Sequence, residues 1–539
     1  MAYSIIQAGT DLQFVGTDGS VTTLDLPAAV TLSQLVPPRW LVSGHYVILV
    51  NSSSLPVTID GRGVVRLLAP RAPRLGPVLS GVSGGTLSGT YFSRYTFVVF
   101  DEFGNLISES DYSPISNTAT ITTDFLNVAN LDVSPDEISG RRIYRTTTDG
   151  AVLFQWIDLD GNVLTSVQDD LSDAGLSLFA SPTLGSVPYL TNIAEFRGRL
   201  FGVPGDDPDY LRYTEAGLRY SWPSDNLLPI QPIGSDEFGV TALLPRRDAL
   251  GVGRKNQLWQ IVGDGSEVDG IADLSTVRIS EILGVLGQES VDIYRDTAYF
   301  LWYDGVYQWN SDGVRCISDG EGGKGNVRSW FATDDYFNRS RFPYAFGKVD
   351  PIRNVYKLFL AEADSDEEDR WVEFDISNRT WWGPHKTQAF TPRSIFAATD
   401  TSGLAILAPS IGSDEGDIYQ EQETRTDGEN FGIEFDVVTK RHATEEVDAT
   451  KYFGQLTVIG RKQAEGTDVT ITSRVGELDL EDANAKTVEH LYDTGKSSNL
   501  LKRLGAGTNA ELEFVHDIPD ADVEIFAYQI SPVNIVGSR

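Results

Sequence analysis

The side chains best suited to acid–base, metal or nucleophilic chemistry are few in this chain or badly spaced for it. Five histidines, His45, His385, His442, His490 and His516, are scattered. No two stand at the i, i+2 or i, i+4 spacing that sets paired imidazoles on one face of a strand or helix, so no histidine-borne metal site is expected. The single cysteine, Cys316, excludes an intramolecular disulfide and a cysteine-based zinc site, and reads as a small residue at a strand end. The run Asp319–Asn326 is rich in glycine, but Lys324 is followed by Gly325 rather than Ser or Thr, and the glycine spacing before it is wrong for a phosphate loop. Asp158 and Asp160, in Asp158-Leu159-Asp160-Gly161-Asn162, begin like a calcium loop whose later acidic ligands are missing, which leaves a hairpin turn. Carboxylates are abundant, and Asp236, Glu289 and Asp296 fall near the starts of strand pairs, where a glycosidase pair would have to be built. The expectation is therefore no catalytic residue, no cofactor and no metal.

Aromatic density is the stronger signal. Trp302-Tyr303 and Trp381-Trp382 would suit a sugar platform, yet they fall in hairpins, where aromatic side chains more often fill the space between sheets. The clearest hairpin is Asp296–Cys316, DTAYFLWYDGVYQWNSDGVRC. An apolar run Ala298–Tyr303, an Asp304-Gly305 turn and the alternating strand Val306–Trp309 are followed by a second Asp-Gly at Asp312-Gly313. Looser copies start at Leu200, Leu250, Tyr356 and Leu404, so that with Tyr299 as the anchor of the clear copy the offsets are 50, 49, 57 and 48 residues. A period of about 50 with hairpins in each unit predicts a β-propeller of about six blades, the sixth completed by terminal strands. Trp259, Trp302, Tyr303, Trp309, Trp371 and Tyr419 are the hairpin residues expected to hold blade to blade.

Around these repeats the 539 residues divide into several cores. Residues 1–77 read as a β-rich segment of short strands closing in Pro70, Pro73 and Pro77; 78–188 as a compact sandwich of six or seven strands, immunoglobulin- or fibronectin-like in size; 189–425 as the repeats; and 426–539 as a β-rich domain or a closing blade. One insertion, Ser329 to Phe342, looks partly helical. The fold class expected is all-β.

Charge is the plainest compositional fact: 43 basic against 77 acidic residues, a formal net charge of −34. Such a surface repels nucleic acid and anionic membranes. The local basic groups Arg66, Arg71 and Arg74, Arg141, Arg142 and Arg145, and Arg246 and Arg247 could pair with acidic patches on a neighbouring subunit. The start MAYSIIQAGTDLQF lacks a basic stretch followed by an apolar core, and no run approaches the ~18 apolar residues of a membrane span. Synthesis in a cytoplasm is the expectation.

Several phrases together carry a resemblance. LTNIAEFRGRLFGVPG (Leu190–Gly205), YLRYTEAG, DEFGVTALLPRRDALGVGRKNQLWQIVG (Asp236–Gly263) and TAYFLWYDGVYQWNSDGV (Thr297–Val314) resemble the β-propeller tail nozzle or hub proteins of short-tailed bacteriophages. GRRIYRTTTDGAVLFQWIDL (Gly140–Leu159) with DDLSDAGL (Asp169–Leu176) resembles the immunoglobulin-like module that precedes the propeller in phage virion proteins. The resemblance covers roughly Gly84 to Gln420. It implies a structural virion protein in a homohexameric ring below the head-tail adaptor. Tail fibres would be held on the outside, and DNA would pass through the channel without specific binding. A carbohydrate-binding or carbohydrate-active propeller is the alternative.

Overall fold

The computed structural model describes residues 3–386 except 17–19, 34–35, 232–238, 269–270 and 321–325, and beyond residue 386 chiefly the strand segments, with few of their side chains. The protein is all-β and built from antiparallel sheets. It divides into two compact units, residues 1–385 with 394–410, and residues 386–393 with 411–539.

Among the described residues of the first unit, five four-stranded sheets with up-and-down strand order form a series along the chain, interrupted by a sandwich after the first. The first comprises Arg39–Ser43, Tyr46–Val50, Val57–Asp60 and Val65–Leu67; the second Leu190–Phe196, Arg199–Pro204, Tyr210–Tyr213 and Leu227–Pro229. The third comprises Val240–Pro245, Leu250–Arg254, Leu258–Val262 and Ser275–Ser280; the fourth Asp292–Tyr294, Thr297–Trp302, Gly305–Asn310 and Gly313–Cys316; the fifth Phe346–Asp350, Val355–Leu360, Arg370–Asp375 and Thr380–Lys386. A three-stranded sheet, Pro392–Thr399, Ile406–Ser413 and Ile418–Gln420, follows. In the second, third and fifth sheets the second strand is buried at every position. That is why those segments are largely apolar rather than alternating: a strand covered on both faces has no solvent side to alternate with.

Consecutive sheets share cores. Ile48 and Val50 of the first meet Leu190, Leu200 and Trp222 of the second; Phe201 and Val203 meet Leu243 and Val252 of the third; Leu244 and Leu258 meet Phe300 and Trp309 of the fourth; Tyr299 and Leu301 meet Tyr356, Leu358 and Phe374 of the fifth. The first strand of each sheet also lies beside the first strand of the next. The opposite face of the first sheet, Leu49, Val57 and Ile59, is covered by Leu12, Val30 and Leu32 from the segment before it. Residues 39–67, grouped by sequence with the N-terminal block, thus form the first layer of the series.

In the clearest hairpin the turn is one residue earlier than its sequence suggests. Trp302 pairs with Gly305, so Tyr303-Asp304 make the turn, and Asn310 pairs with Gly313. The strand position of residue 305 is tight for a side chain, since a Cβ there would come within 3.0 Å of the Ser318 Cβ, and glycine fits it. The expected helical insertion is a five-residue helix, Arg328–Ala332, and a 3-10 turn, Arg339–Tyr344.

Between the first and second sheets the chain makes a two-sheet sandwich. One sheet orders Leu106–Glu109, Ser93–Phe100, Gly140–Thr146 and Leu153–Asp160; the other orders Ser166–Asp169, Ala119–Ala129 and Val78–Tyr91. Alternation along these strands sends Tyr95, Phe97, Ile143, Leu126 and Val128 into one core. The second unit has a sandwich of its own. It pairs Phe435–Val438, Asn509–His516, Asp468–Gly476 and Lys486–Asp493 with Ser498–Gly507, Ala449–Gly460 and Ile525–Ser538, around Leu456, Val458, Val469, Ile471, Leu512 and Phe514.

Candidate functional site

Because the first strands of successive sheets run side by side, their polar side chains meet. Arg39 opens the first sheet; its Nε donates to Asn192 Oδ1 of the second at 3.1 Å, and its guanidinium forms an ion pair with Glu289. Asn192 Nδ2 donates to the Thr241 carbonyl of the third sheet at 3.1 Å. Gln288, next to Glu289, holds Leu243 by both backbone groups, accepting from its N–H at 2.7 Å and donating to its carbonyl at 3.1 Å. The result is a closed circuit of polar contacts through three sheets and the turn before the fourth. Asp292 extends it to the fifth sheet, accepting from Lys348 Nζ at 2.8 Å and from the Val349 N–H at 2.7 Å. Burial lowers the Arg39 guanidinium to about 10, which leaves it charged at neutral pH and in need of its carboxylate. Sequence reasoning named Glu289 as a possible acid and missed Arg39, Asn192 and Gln288. Their partners lie up to 250 residues away in sequence, and no local spacing marks them.

The aromatic residues expected between sheets occupy the following places. Trp309 is buried in the core of the third and fourth sheets, with Arg246 of the third sheet 4.5 Å over its ring. Gly251 permits this contact, since a Cβ there would meet the indole at 2.4 Å. Trp302 donates its Nε1–H to the Lys255 carbonyl at 3.0 Å, and Lys255 Nζ lies 5.6 Å from the Tyr303 ring, so both tie the fourth sheet to the third. Trp259 packs against the core of the second and third sheets under Arg278. Trp371 stacks within its own sheet, on Phe359 and against His385. Tyr419 lies in the strand Ile418–Gln420, and its side chain falls outside the described residues. Of the possible sugar platform, Trp381 is core and donates to the Ile317 carbonyl, while Trp382 is 58% exposed.

The remaining candidates are distributed rather than gathered. Asp236 lies outside the described residues, as do Gly322, Gly323 and Lys324. Asp296 sits in a left-handed turn, held below the usual carboxylate range first by the Arg247 backbone N–H and then by Arg246. Asp158 pairs with Arg142 at 2.7 Å. Burial raises the Cys316 thiol. Among the described residues no group of three His, Cys, Asp or Glu side chains is placed to hold a metal ion.

Most arginines of the basic clusters have partners within the chain. Arg71 pairs with Asp136 at 2.6 Å, Arg66 with Asp60, Arg145 with Asp169 and Asp173, and Arg246 with Asp296. Arg141, fully buried, donates to the Asp132 and Leu164 carbonyls. Arg74 and Arg247 donate their backbone N–H groups to Asp132 and Asp296. Of these, Arg145 and Arg246 are buried with their carboxylates, and such a paired, dehydrated guanidinium has little left for an outside anion.

No protein-family model matches the chain, and no curated protein does. Among solved structures, one similar chain is PorZ, an essential bacterial surface component of the type-IX secretion system of Porphyromonas gingivalis, at 12% identity and a TM-score of 0.27. That likeness covers 77% of this chain and 64% of the PorZ chain. A computationally designed protein is similar at 10% identity and a TM-score of 0.18, over 57% of this chain and 83% of its own. Likenesses this loose carry no argument about function.

Proposed function

We propose that the chain is a structural subunit of a short-tailed bacteriophage tail. In this reading it is a nozzle or hub built on a β-propeller of about six blades with an immunoglobulin- or fibronectin-like sandwich spliced into it. It would assemble as a homohexameric ring around the DNA exit channel, dock to adaptor and fibre proteins, and reside in the virion after assembly in the host cytoplasm. The observation that supports this best is the series of five meander sheets packed face to face with their first strands adjacent, which is how propeller blades are laid out. The sandwich between the first and second sheets agrees with the module order of the phage proteins that the sequence resembles. A net charge of −34, with many arginines already paired internally, suits a wall along which DNA slides.

Mass photometry and negative-stain microscopy of the protein, alone and with its adaptor, should show a sixfold ring, and duplex DNA should not be retained at about 50 mM salt. A particle that stays monomeric with the adaptor present overturns the assembly, and tight DNA binding overturns the sliding surface. The exposed Trp382 indole is what favours the carbohydrate alternative. Glycan-array binding lost in Trp382→Ala would replace the tail reading with that one.

A further inference from the structure

The sandwich meets a loop of the second sheet at a cavity of about 250 Å³, whose wall includes Glu109, Arg142 and Tyr144 of the sandwich, Ser177 and Phe179 of the segment leaving it, and Tyr220 of the loop. Glu109 and Tyr144 are each 1% exposed, so a carboxylate has been taken out of water beside an open space. Its two oxygens are unequally served. Glu109 Oε1 accepts from Thr96 Oγ1 and from the Tyr144 hydroxyl, both at 2.6 Å. Oε2 has Arg142 Nη1 at 3.4 Å, far beyond the roughly 2.7–2.9 Å of a charge-assisted bond. Arg142 directs its short bonds, 2.7 and 2.9 Å, to Asp158.

With Glu109 ionised, two carboxylates against one guanidinium leave one negative charge in excess, and Tyr144, Tyr220 and Phe179 line the cavity beside it. We propose that this cavity binds a small organic amine. A primary ammonium supplies three donors, one of which completes Oε2; it neutralises the excess charge, and it is attracted to aromatic faces. An anion is repelled by Glu109 and Asp158, and a neutral polyol would satisfy Oε2 while leaving the charge uncompensated. Phe179, 81% exposed, forms the solvent side of the wall.

The test is calorimetric titration of the full chain with putrescine and, separately, with glucose at fixed ionic strength. Saturable one-site binding of putrescine with a Kd below ~1 mM is expected, with no binding of glucose. Binding should weaken at least tenfold in Glu109→Gln and in Ser177→Trp, whose indole fills the cavity from a half-buried wall position and leaves Glu109 in place. No saturable binding of putrescine, or binding of glucose in its stead, overturns the proposal. So does putrescine binding that Ser177→Trp leaves unchanged, because the amine would then sit on the acidic surface.

Discussion

Glu109 shows how a single position acquires a property its sequence neighbours do not confer. In Leu106-Ile107-Ser108-Glu109 it is one carboxylate among 77 acidic residues, yet the sheet turns it inward against Thr96, Tyr144 and Arg142. Burial raises its carboxyl above the ordinary 4.5, and the bonds from Thr96 and Tyr144 and the charge of Arg142 pull back only in part. The folded chain therefore takes up this proton at a higher pH than the unfolded chain does. The stability this group contributes is full below about 4.5 and is lost as the pH rises through the folded value. Urea midpoints of the wild type and Glu109→Gln, measured between the two limits, should show the wild type gaining on the variant as the pH falls. A flat difference would remove the shift. Arg39 makes the same point: its identity is visible in the sequence, whereas its pairing with Asn192 and Glu289 exists only when the first two sheets and the turn before the fourth meet.

At the scale of elements, the repeat was legible because the second strands of the second, third and fifth sheets are buried throughout and that of the fourth nearly so, which leaves them without a solvent side to alternate with. Four of the five hairpin anchors, Leu200, Leu250, Tyr299 and Tyr356, fall in the second strands of four consecutive sheets. The N-terminal sheet carries no copy of the phrase, so its membership in the series follows from Ile48 and Val50 packing on Leu190 and Trp222. Trp309 tests the junction of the third and fourth sheets. Its replacement by Ala removes a ring that fills the space above Gly251 and under Arg246 and should cost about 3–5 kcal/mol of stability. Hydrogen exchange should then lose protection in Leu250–Arg254 and Thr297–Trp302 together. Loss confined to one strand would mean that the indole belongs to its own sheet.

For the whole molecule, two units with separate cores predict two heat-absorption steps in calorimetry. A single two-state transition would show that the cores unfold as one. Net charge acts at this scale as well. The sequence sets its value, but only the fold shows that Arg71, Arg142, Arg145 and Arg246 are paired within the chain, which leaves the excess of carboxylates to set the field around it.

The sequence by itself determined the all-β class and the recurrence of hairpins. These depend on period-2 alternation, turn residues and apolar runs, which are local and leave their mark within ten or twenty residues. The one-residue shift of the Tyr303-Asp304 turn shows the limit of that reading: an Asp-Gly pair marks a turn without fixing its register, and Gly305 lies in the strand, paired with Trp302. Only the tertiary structure decided which sheets are neighbours, which acid meets which base, and that a buried carboxylate borders a cavity. Those depend on distances between residues such as Arg39 and Glu289, which chain folding sets and sequence spacing does not encode.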